Sequence, residues 1–308
     1  MSNIFAAVDI GGTKTLTGLV DERGTVLSSH CFPTVLGENA AEEGKENIVR
    51  SITAQCSEIN WKTSQLSGTG IVCAGPVDCQ QGTIENPYTL PGWKGYPLTE
   101  KIKEKMGGPC RLDNDANGML MGEVFLKKLH AKTVLMMTIG TGIGVAVYRK
   151  GSIYRANGKY HPEMGHIIVD GSGPECYCGH PGCFESLCSG SALHKYSRDH
   201  GYADFNQLYK KWRDEENKEV SELMKPVKRW IRNGFFSLML VFKPDVVILG
   251  GGFGSQYYDF YRELIEKDIS GLTDFFVDFR ITRAEANGCS ALIGAAMLAG
   301  EQTAEEGV

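Results

Sequence analysis

The 308-residue sequence has no excess of positive charge, no long apolar run and no Walker A motif. Its 32 Lys and Arg residues against 37 Asp and Glu residues give a net charge of −5, so the overall charge does not favour binding to nucleic acid or to an anionic membrane. No segment approaches the roughly 20 apolar residues that span a bilayer. We therefore expect neither a nucleic-acid partner nor a membrane partner.

The N-terminal segment MSNIFAAVDIGG lacks the basic n-region of a standard signal peptide, and Asp9 interrupts its apolar run. We therefore expect a cytoplasmic protein, in which the ten cysteines would be free thiols or metal ligands rather than disulfides. With 42% hydrophobic and 22% charged residues, the composition is typical of a globular chain with a full core. The length suggests about two domains.

Glycine is abundant, with 38 residues that cluster at the ends of predicted strands. A strand over 4–9 runs into the turn Gly11–Lys14, and a second strand follows. A strand over 133–138 likewise runs into Gly140–Gly142 and a further strand. Two strand–turn–strand units of one design, each opening one half of the chain, predict a duplicated, two-lobed α/β protein.

The first hairpin, Asp9–Lys14, has the residues of a phosphate site. Its two glycines let the backbone approach a ligand closely, exposed amides in such a turn can hold phosphate oxygens, and an aspartate beside them can hold Mg²⁺. An ordinary β-hairpin explains the glycines of this turn equally well. The second hairpin, and Gly250–Gly252 after a third strand, favour the phosphate-site explanation. Together the three glycine turns predict a nucleotide held between two lobes.

Between the two hairpins, Asp113, Asn114 and Asp115 lie where a short strand runs into a helix predicted over 116–129. A carboxylate at such a junction can project into a cleft. A helix cap explains the same residues, and for this motif alone it is the stronger explanation.

Residues 155–190 are rich in glycine, proline and cysteine and are predicted to be irregular. Three cysteines fall within eight residues there, and His166 precedes the first by ten. They are Cys176, Cys178 and Cys183. Because zinc prefers four such ligands in a tetrahedron, we predict a structural zinc site in the loop 163–188, with Cys188 as the alternative fourth ligand.

Two acids, Glu163 and Glu185, flank the predicted zinc ligands. Carboxylates accept hydrogen bonds from sugar hydroxyls. Either these two residues are solvated charges of the loop, or the zinc loop holds them towards a polyhydroxylated ligand.

Taken in order, these motifs resemble the ROK family, which contains repressors and sugar kinases. The matching segments are DIGGTK (9–14), LDNDAN (112–117), IGTGIG (139–144), EMGH (163–166), CYCGHPGCFE (176–185) and ILGGG (248–252). The resemblance covers essentially the whole chain and implies the two-lobed, actin-like and ribonuclease-H-like ATPase fold. We expect an N-terminal lobe of residues 1–116 and 290–308 and a C-terminal lobe of residues 117–289. The family's repressors carry an added N-terminal helix-turn-helix domain, for which the early first hairpin leaves no room, so we expect a kinase.

The resemblance implies transfer of a phosphoryl group from MgATP to a primary hydroxyl, O6, of a glucose-type hexose. N-acetylmannosamine, N-acetylglucosamine or allose are alternative substrates within the family, and a catalytically silent sugar sensor is the alternative of another class. A homodimer is also implied. Asp115 would be the general base, and Asp9 would organise Mg²⁺.

By the same resemblance, the remaining roles fall on three sets of residues. The sugar would contact Gly75, Asn86, Thr89, Asn114, Asp115, Glu163, His166 and Glu185. The nucleotide would contact Asp9, Gly11, Gly12, Thr13, Lys14, Thr138, Gly140, Thr141, Gly142, Gly250, Gly251 and Gly252. The zinc ligands would be His166, Cys176, Cys178 and Cys183.

Two departures from the family pattern adjoin the predicted sugar site. Glucokinase-like members read PNLPGW where this chain reads NPYTLPGW (86–93), so Thr89 stands where an asparagine usually contacts the sugar, with Asn86 as the alternative contact. Pro162 stands before Glu163, where a small residue is usual. We expect these two places to set substrate selectivity. We also expect zinc loss to weaken sugar binding, while the nucleotide site, built from distant hairpins, changes less.

Overall fold

The computed structural model describes residues 3–214, 217–269, 279–285 and 289–300. These residues form two compact units. The first contains the chain up to Ala131, the segment Tyr148–Pro162 and the last described helix, whereas the second contains Lys132–Val147 and the described residues from Glu163 to residue 285. Throughout the described ranges, no helix combines the length and the apolar character needed to cross a bilayer.

Two five-stranded sheets with the same strand order organise the chain. The strands are β1 (Ile4–Ile10), β2 (Lys14–Asp21), β3 (Val26–Pro33), β4 (Gly68–Cys73), β5 (Val77–Asp78), β6 (Thr83–Ile84), β7 (Cys110–Asn114), β8 (Val134–Ile139), β9 (Ile143–Arg149), β10 (Ser152–Ile153), β11 (Val246–Gly250) and β12 (Arg280–Arg283). The sheet orders are β3-β2-β1-β4-β7 and β10-β9-β8-β11-β12, while β5 and β6 pair separately. In each sheet, two later strands run parallel to the first strand of the meander. This repeated topology is the duplication that the paired glycine hairpins predict.

Helices and short 3-10 turns connect the strands. They are α1 (Ala40–Glu58), α2 (Leu98–Met106), α3 (Asp115–Leu126), α4 (Phe184–Cys188), α5 (Gly190–Asp199), α6 (Phe205–Asp214), α7 (Lys218–Phe242), α8 (Gly252–Gln256), α9 (Tyr258–Ile269) and α10 (Ser290–Gly300), with 3-10 turns at Thr63–Gln65, Pro91–Trp93 and Met164–His166. Helix α4 lies inside the segment 155–190 that was expected to be irregular. It forms because Phe184 is fully buried and packs on α7, with its ring centroid 6.2 Å from that of Phe235.

Helix α10 completes the core of the first unit by lying very close to α3 and β4. A methyl group on Gly294 would overlap the carbonyl oxygen of Gly118, and one on Gly70 would overlap that of Ala295. Because α3 packs on α10 in this way, it belongs to the first compact unit, whereas the expected lobes part after residue 116. Residues 301–308, assigned to the N-terminal lobe from sequence, lie outside the described residues.

The second unit has a more aromatic core than the first. At its centre, the ring centroid of Phe205 lies 5.1 Å from that of Tyr257 and 5.4 Å from that of Phe253. Each well-oriented aromatic pair adds about 0.5–1.5 kcal/mol beyond its buried area. This cluster joins α6, α8 and α9 and so holds the glycine turn that follows β11.

Candidate functional site

The first glycine hairpin, between β1 and β2, is closed by its own backbone. The Gly11 amide donates to the Lys14 carbonyl oxygen at 2.9 Å. Thr34, just after β3, clamps the turn from the side: its hydroxyl donates to the Gly11 carbonyl at 2.7 Å and its amide to the Thr13 carbonyl at 3.1 Å. The turn geometry is therefore fixed by protein contacts alone.

Asp9 is a half-buried residue near the end of β1. Burial raises the pKa of its carboxyl group to about 6, and the Lys14 ammonium acts in the opposite direction. Among the described residues, no group hydrogen bonds to the Asp9 side chain. Oxygen ligands of this kind suit Mg²⁺, whose charge would favour the ionised carboxylate.

Asp113, at the end of β7, is a buried structural carboxylate. One of its oxygens accepts hydrogen bonds from the Asn114 amide and the Asn117 side chain, each at 2.7 Å. The other oxygen is paired with the Arg155 guanidinium. Both oxygens are thus held by protein donors.

Asp115 is the first residue of α3 and is half-buried. Its Oδ1 accepts a hydrogen bond from the Ala116 amide at 2.8 Å, and the Asn114 side chain caps the helix by accepting from the same amide at 2.9 Å. The helix-cap explanation is therefore correct for Asn114. The cap also places Asp115 at a helix N-terminus, where the helix dipole favours a negative charge.

The parallel strands bring three carboxylates to one edge of the first sheet. Val72 of β4 pairs with Asp9 on one side and with Asp113 on the other. The next residue, Cys73, is fully buried beside them: the pKa of its thiol is raised first by burial and then by the charges of Asp115, Asp9 and Asp113. Asp9 and Asp115, distant in sequence, thus both lie near the Cys73 thiol.

His161 lies beside Asn117, next to the β7–α3 junction. The sequence gives no sign of this position beyond the fact that His161 comes two residues before Glu163. Its Nδ1 lies 3.0 Å from Asn117 Oδ1, and burial lowers the pKa of the ring to about 4. Because the Asn117 amide group donates to Asp113, its carbonyl oxygen faces the ring, and Nδ1 must carry the proton. A neutral histidine therefore extends the network behind the β7–α3 junction.

In the loop 86–93, Asn86 is buried and Thr89 is exposed. Asn86 Nδ2 donates to the Ala74 carbonyl at 3.1 Å and to the Thr89 hydroxyl at 2.7 Å, while its Oδ1 accepts from two loop amides at 2.9 Å. These bonds hold Gly75, next to Ala74, against the loop. A Cβ on Gly12 would lie 3.4 Å from Thr89 Cβ, so the loop adjoins the first hairpin.

The structure brings together the four residues predicted to bind zinc. Their ligand atoms all lie within 4.8 Å of one another. They are His166, Cys176, Cys178 and Cys183. His166 Nδ1 is 3.5 Å from Cys176 Sγ, and tetrahedral zinc with bonds of about 2.3 Å to sulfur needs ligand separations of roughly 3–4 Å. The donor set and its spacing fit zinc, whereas Cys188 lies in the apolar core of the second unit.

The second glycine hairpin, between β8 and β9, is in contact with the zinc loop through Glu185. Glu185 Oε2 accepts a hydrogen bond from the Ile143 amide at 2.7 Å, and a methyl group on Gly142 would overlap the carboxylate. The expectation that the nucleotide hairpins lie far from the zinc loop is therefore wrong for this hairpin. The reason is that α4 begins directly after Cys183 and presents Glu185 to the turn.

His166 and Glu185 share a partner that sequence motifs do not reveal. The Tyr177 hydroxyl lies 3.0 Å from His166 Nε2 and hydrogen bonds to Glu185. Glu163 is close as well, since the pKa of its carboxyl group is raised by lost hydration and by the Glu185 charge. The structure thus brings the three predicted sugar-binding residues of the second unit together.

The third glycine turn, Gly250–Gly252, adjoins the strand that leads into the second hairpin. Gly251 has a φ of +78°, and a Cβ there would overlap the Ile139 backbone. Thr138 in the same strand donates its hydroxyl to the Gly144 carbonyl at 3.3 Å. Two of the predicted nucleotide-binding segments are therefore neighbours within the second unit.

Comparison with known proteins connects this arrangement to a family. A model of the ROK family matches residues 5–302. A glucokinase from Thermotoga maritima is 27% identical over 316 residues, covering 96% of this chain and 96% of that protein. A ROK hexokinase structure from Thermus thermophilus aligns with a TM-score of 0.82 and 27% identity over 96% of this chain and 98% of that one.

A ROK family glucokinase from Streptomyces griseus, solved in complex with glucose and AMPPNP, aligns with a TM-score of 0.71 and 27% identity. The alignment covers 97% of this chain and 100% of that one. The predicted two-lobed α/β fold is therefore confirmed.

Proposed function

The chain belongs to the ROK family, and we infer that it is an ATP-dependent sugar kinase. We propose a glucose-type hexose as the substrate and its primary hydroxyl, O6, as the acceptor. A relative named glucokinase, and a solved glucokinase that holds glucose and AMPPNP, support this choice. The observation that carries the proposal is that Asp9 and Asp115, far apart in sequence, both lie near the buried Cys73 thiol at the carboxyl end of the parallel strands of the first sheet.

Asp115 would act as the general base. Phosphoryl transfer depends mainly on positioning and charge neutralisation, and the attacking hydroxyl must lose its proton to a nearby carboxylate. Asp113 is unsuited to this role because protein donors hold both of its oxygens. Asp9 would hold Mg²⁺, directly or through water, and the bound ion would neutralise phosphate charge.

The remaining proposed roles follow the family match. The sugar contacts would be Gly75, Asn86, Thr89, Asn114, Glu163, His166 and Glu185. Among the loop residues, the exposed Thr89 is better placed for contact than Asn86, whose polar atoms serve the loop itself. The glycine turns would hold the nucleotide, and zinc would be structural. A homodimer and a cytoplasmic location complete the proposal.

A coupled assay of ATP consumption across hexoses and N-acetylhexosamines tests this function. We expect the highest kcat/KM with a glucose-type hexose, and mass spectrometry should detect the corresponding sugar phosphate. The Asp115→Asn protein is the control for background ATP hydrolysis. Sugar binding without phosphate transfer to any member of the panel would favour the silent sensor and contradict the proposal.

A further inference from the structure

Tyr177 occupies the hydrogen-bonding groups of two proposed sugar contacts. It lies between two metal ligands, so its backbone is anchored, but 63% of the residue is exposed. Its ring stands edge-on to that of His166, with the centroids 5.0 Å apart and the planes at 87°. The side chain can therefore swing into solvent without breaking core packing.

The direction of the hydrogen bonds follows from the geometry of the zinc site. The Nδ1 atom of His166 faces Cys176 Sγ, so Nδ1 is the metal-facing nitrogen and Nε2 carries the proton. Nε2–H then donates to the Tyr177 oxygen, and the Tyr177 hydroxyl donates to Glu185. A histidine that binds zinc commonly donates its second N–H in this way, and that bond fixes the ring orientation.

A sugar hydroxyl has the same bonding capacity as the phenol, because it accepts one hydrogen bond and donates another. His166 has a single Nε2–H, which it can donate to the phenol or to the sugar hydroxyl but not to both. We propose that the Tyr177 hydroxyl holds the place of a sugar hydroxyl at His166 and Glu185 and is displaced when the sugar binds. This inference rests on the proposed function.

The competition makes Tyr177 a determinant of sugar affinity. A sugar with a hydroxyl at the right position replaces both bonds of the phenol, whereas an analogue without that hydroxyl leaves the His166 Nε2–H without an acceptor. Unpaired polar groups are costly once they are removed from water. Tyr177 therefore lowers the affinity for every sugar and penalises the wrong ones further.

Tyr177→Phe is the test, because it removes the hydroxyl and keeps the ring. The zinc-loaded protein is titrated calorimetrically with glucose in the absence of nucleotide. We expect Kd to fall about 3- to 10-fold, since the variant has one less competitor for two hydrogen-bonding groups. Tyr202→Phe, which alters a tyrosine that packs on the Lys211 ammonium, should leave Kd unchanged. Elemental analysis should find one zinc per chain in all three proteins.

Cobalt substituted for zinc gives a spectrum that reports on His166. A purely structural role of Tyr177 would leave that spectrum unchanged. The sugar-free spectra of wild type and Tyr177→Phe should differ, because His166 has different partners, and the sugar-bound spectra should coincide. An unchanged or raised Kd, or sugar-bound spectra that differ, would overturn the inference. If the Phe variant loses zinc, Tyr177→Ala is used and must show the same fall in Kd. Failure of the wild type to phosphorylate any hexose would instead reject the proposed function.

Discussion

The two glycine hairpins have the same backbone plan and different sources of charge. The first, between β1 and β2, carries its own carboxylate in Asp9 and its own ammonium in Lys14, and Thr34 clamps it from outside. The second, between β8 and β9, has no charged side chain within Thr138–Gly144. Its carboxylate is supplied by Glu185 from the zinc loop.

This difference shows how a duplicated unit can diverge without a change in topology. The first hairpin carries its charged groups on its own strands and is clamped from the neighbouring strand end by Thr34, so only substitutions in the first sheet should disturb it. The second depends on a helix that starts more than forty residues later and follows directly on Cys183, a predicted zinc ligand. Four experiments test this contrast.

The largest effect is expected from Asp115→Asn in the first unit. Loss of a general base should lower kcat by about 10²- to 10⁴-fold, while glucose binding measured by calorimetry changes little. Asp113→Asn should instead lower the melting temperature, because removing one member of a buried ion pair costs about 3–5 kcal/mol. A larger fall in kcat for Asp113→Asn would identify Asp113 as the base.

Asp9→Asn should raise the stability of the protein and lower its activity. Folding raises the pKa of Asp9 from 3.8 to about 6, so its charged form opposes folding, and the stability present at low pH is lost as the pH rises towards 6. Without Mg²⁺, the variant should therefore be more stable than wild type at pH 7.5, by about 2–3 kcal/mol, with no gain below pH 4.

The activity of Asp9→Asn should fall about 10²-fold in kcat/KM for MgATP. Wild-type activity should decline as the pH drops through 6, and added Mg²⁺ should shift that decline to lower pH. Thermal melts across pH, together with rates at several Mg²⁺ concentrations, check both effects. A variant less stable than wild type at pH 7.5 without Mg²⁺ would refute the assignment.

Removal of zinc should disturb the second hairpin and spare the first. Cys178→Ser or chelation should raise the KM for sugar by roughly 10- to 100-fold, as expected when the support of a binding group is lost. The KM for ATP should also rise, by a smaller factor, because Glu185 bonds to the Ile143 amide. A zinc-free protein with unchanged kinetics for both substrates would show that the loop has no such role.

Two alanine substitutions within the second hairpin give the finest test. In Gly142→Ala the new methyl group overlaps the Glu185 carboxylate, so the KM for sugar should rise roughly tenfold. In Gly140→Ala nothing lies within 4 Å of the new methyl group, so sugar binding should persist and only the KM for ATP should rise. Equal effects of both changes on the sugar would mean that Glu185 does not link the hairpin to the sugar.

Much of the fold follows from local sequence signals. The strand expected over 4–9 is β1, and the predicted zinc ligands are close in space because three of them are close in sequence. What could not be predicted depends on tertiary contacts. Ile143 and Glu185 are 42 residues apart, and His161 and Asn117 are 44 apart, so no spacing rule connects them.

The position of Tyr177 shows the same limit at short range. Its place between two cysteines is plain from the sequence, but the partner of its hydroxyl depends on how the loop brings His166 and the three cysteines together. Helix α4 is a similar case. Nothing in its five residues requires a helix, and it is the burial of Phe184 against α7 that favours one.

The packing of α10 against α3 and β4 also constrains the order of events during synthesis on the ribosome. The strands of the first sheet emerge early, but the helix that fills its core emerges only after the whole second unit has been translated. Until then, the apolar faces of α3 and β4 have no helix to cover them. The second unit can therefore reach its native state first, and nascent chains stalled before residue 290 should depend on chaperones to protect the incomplete first unit.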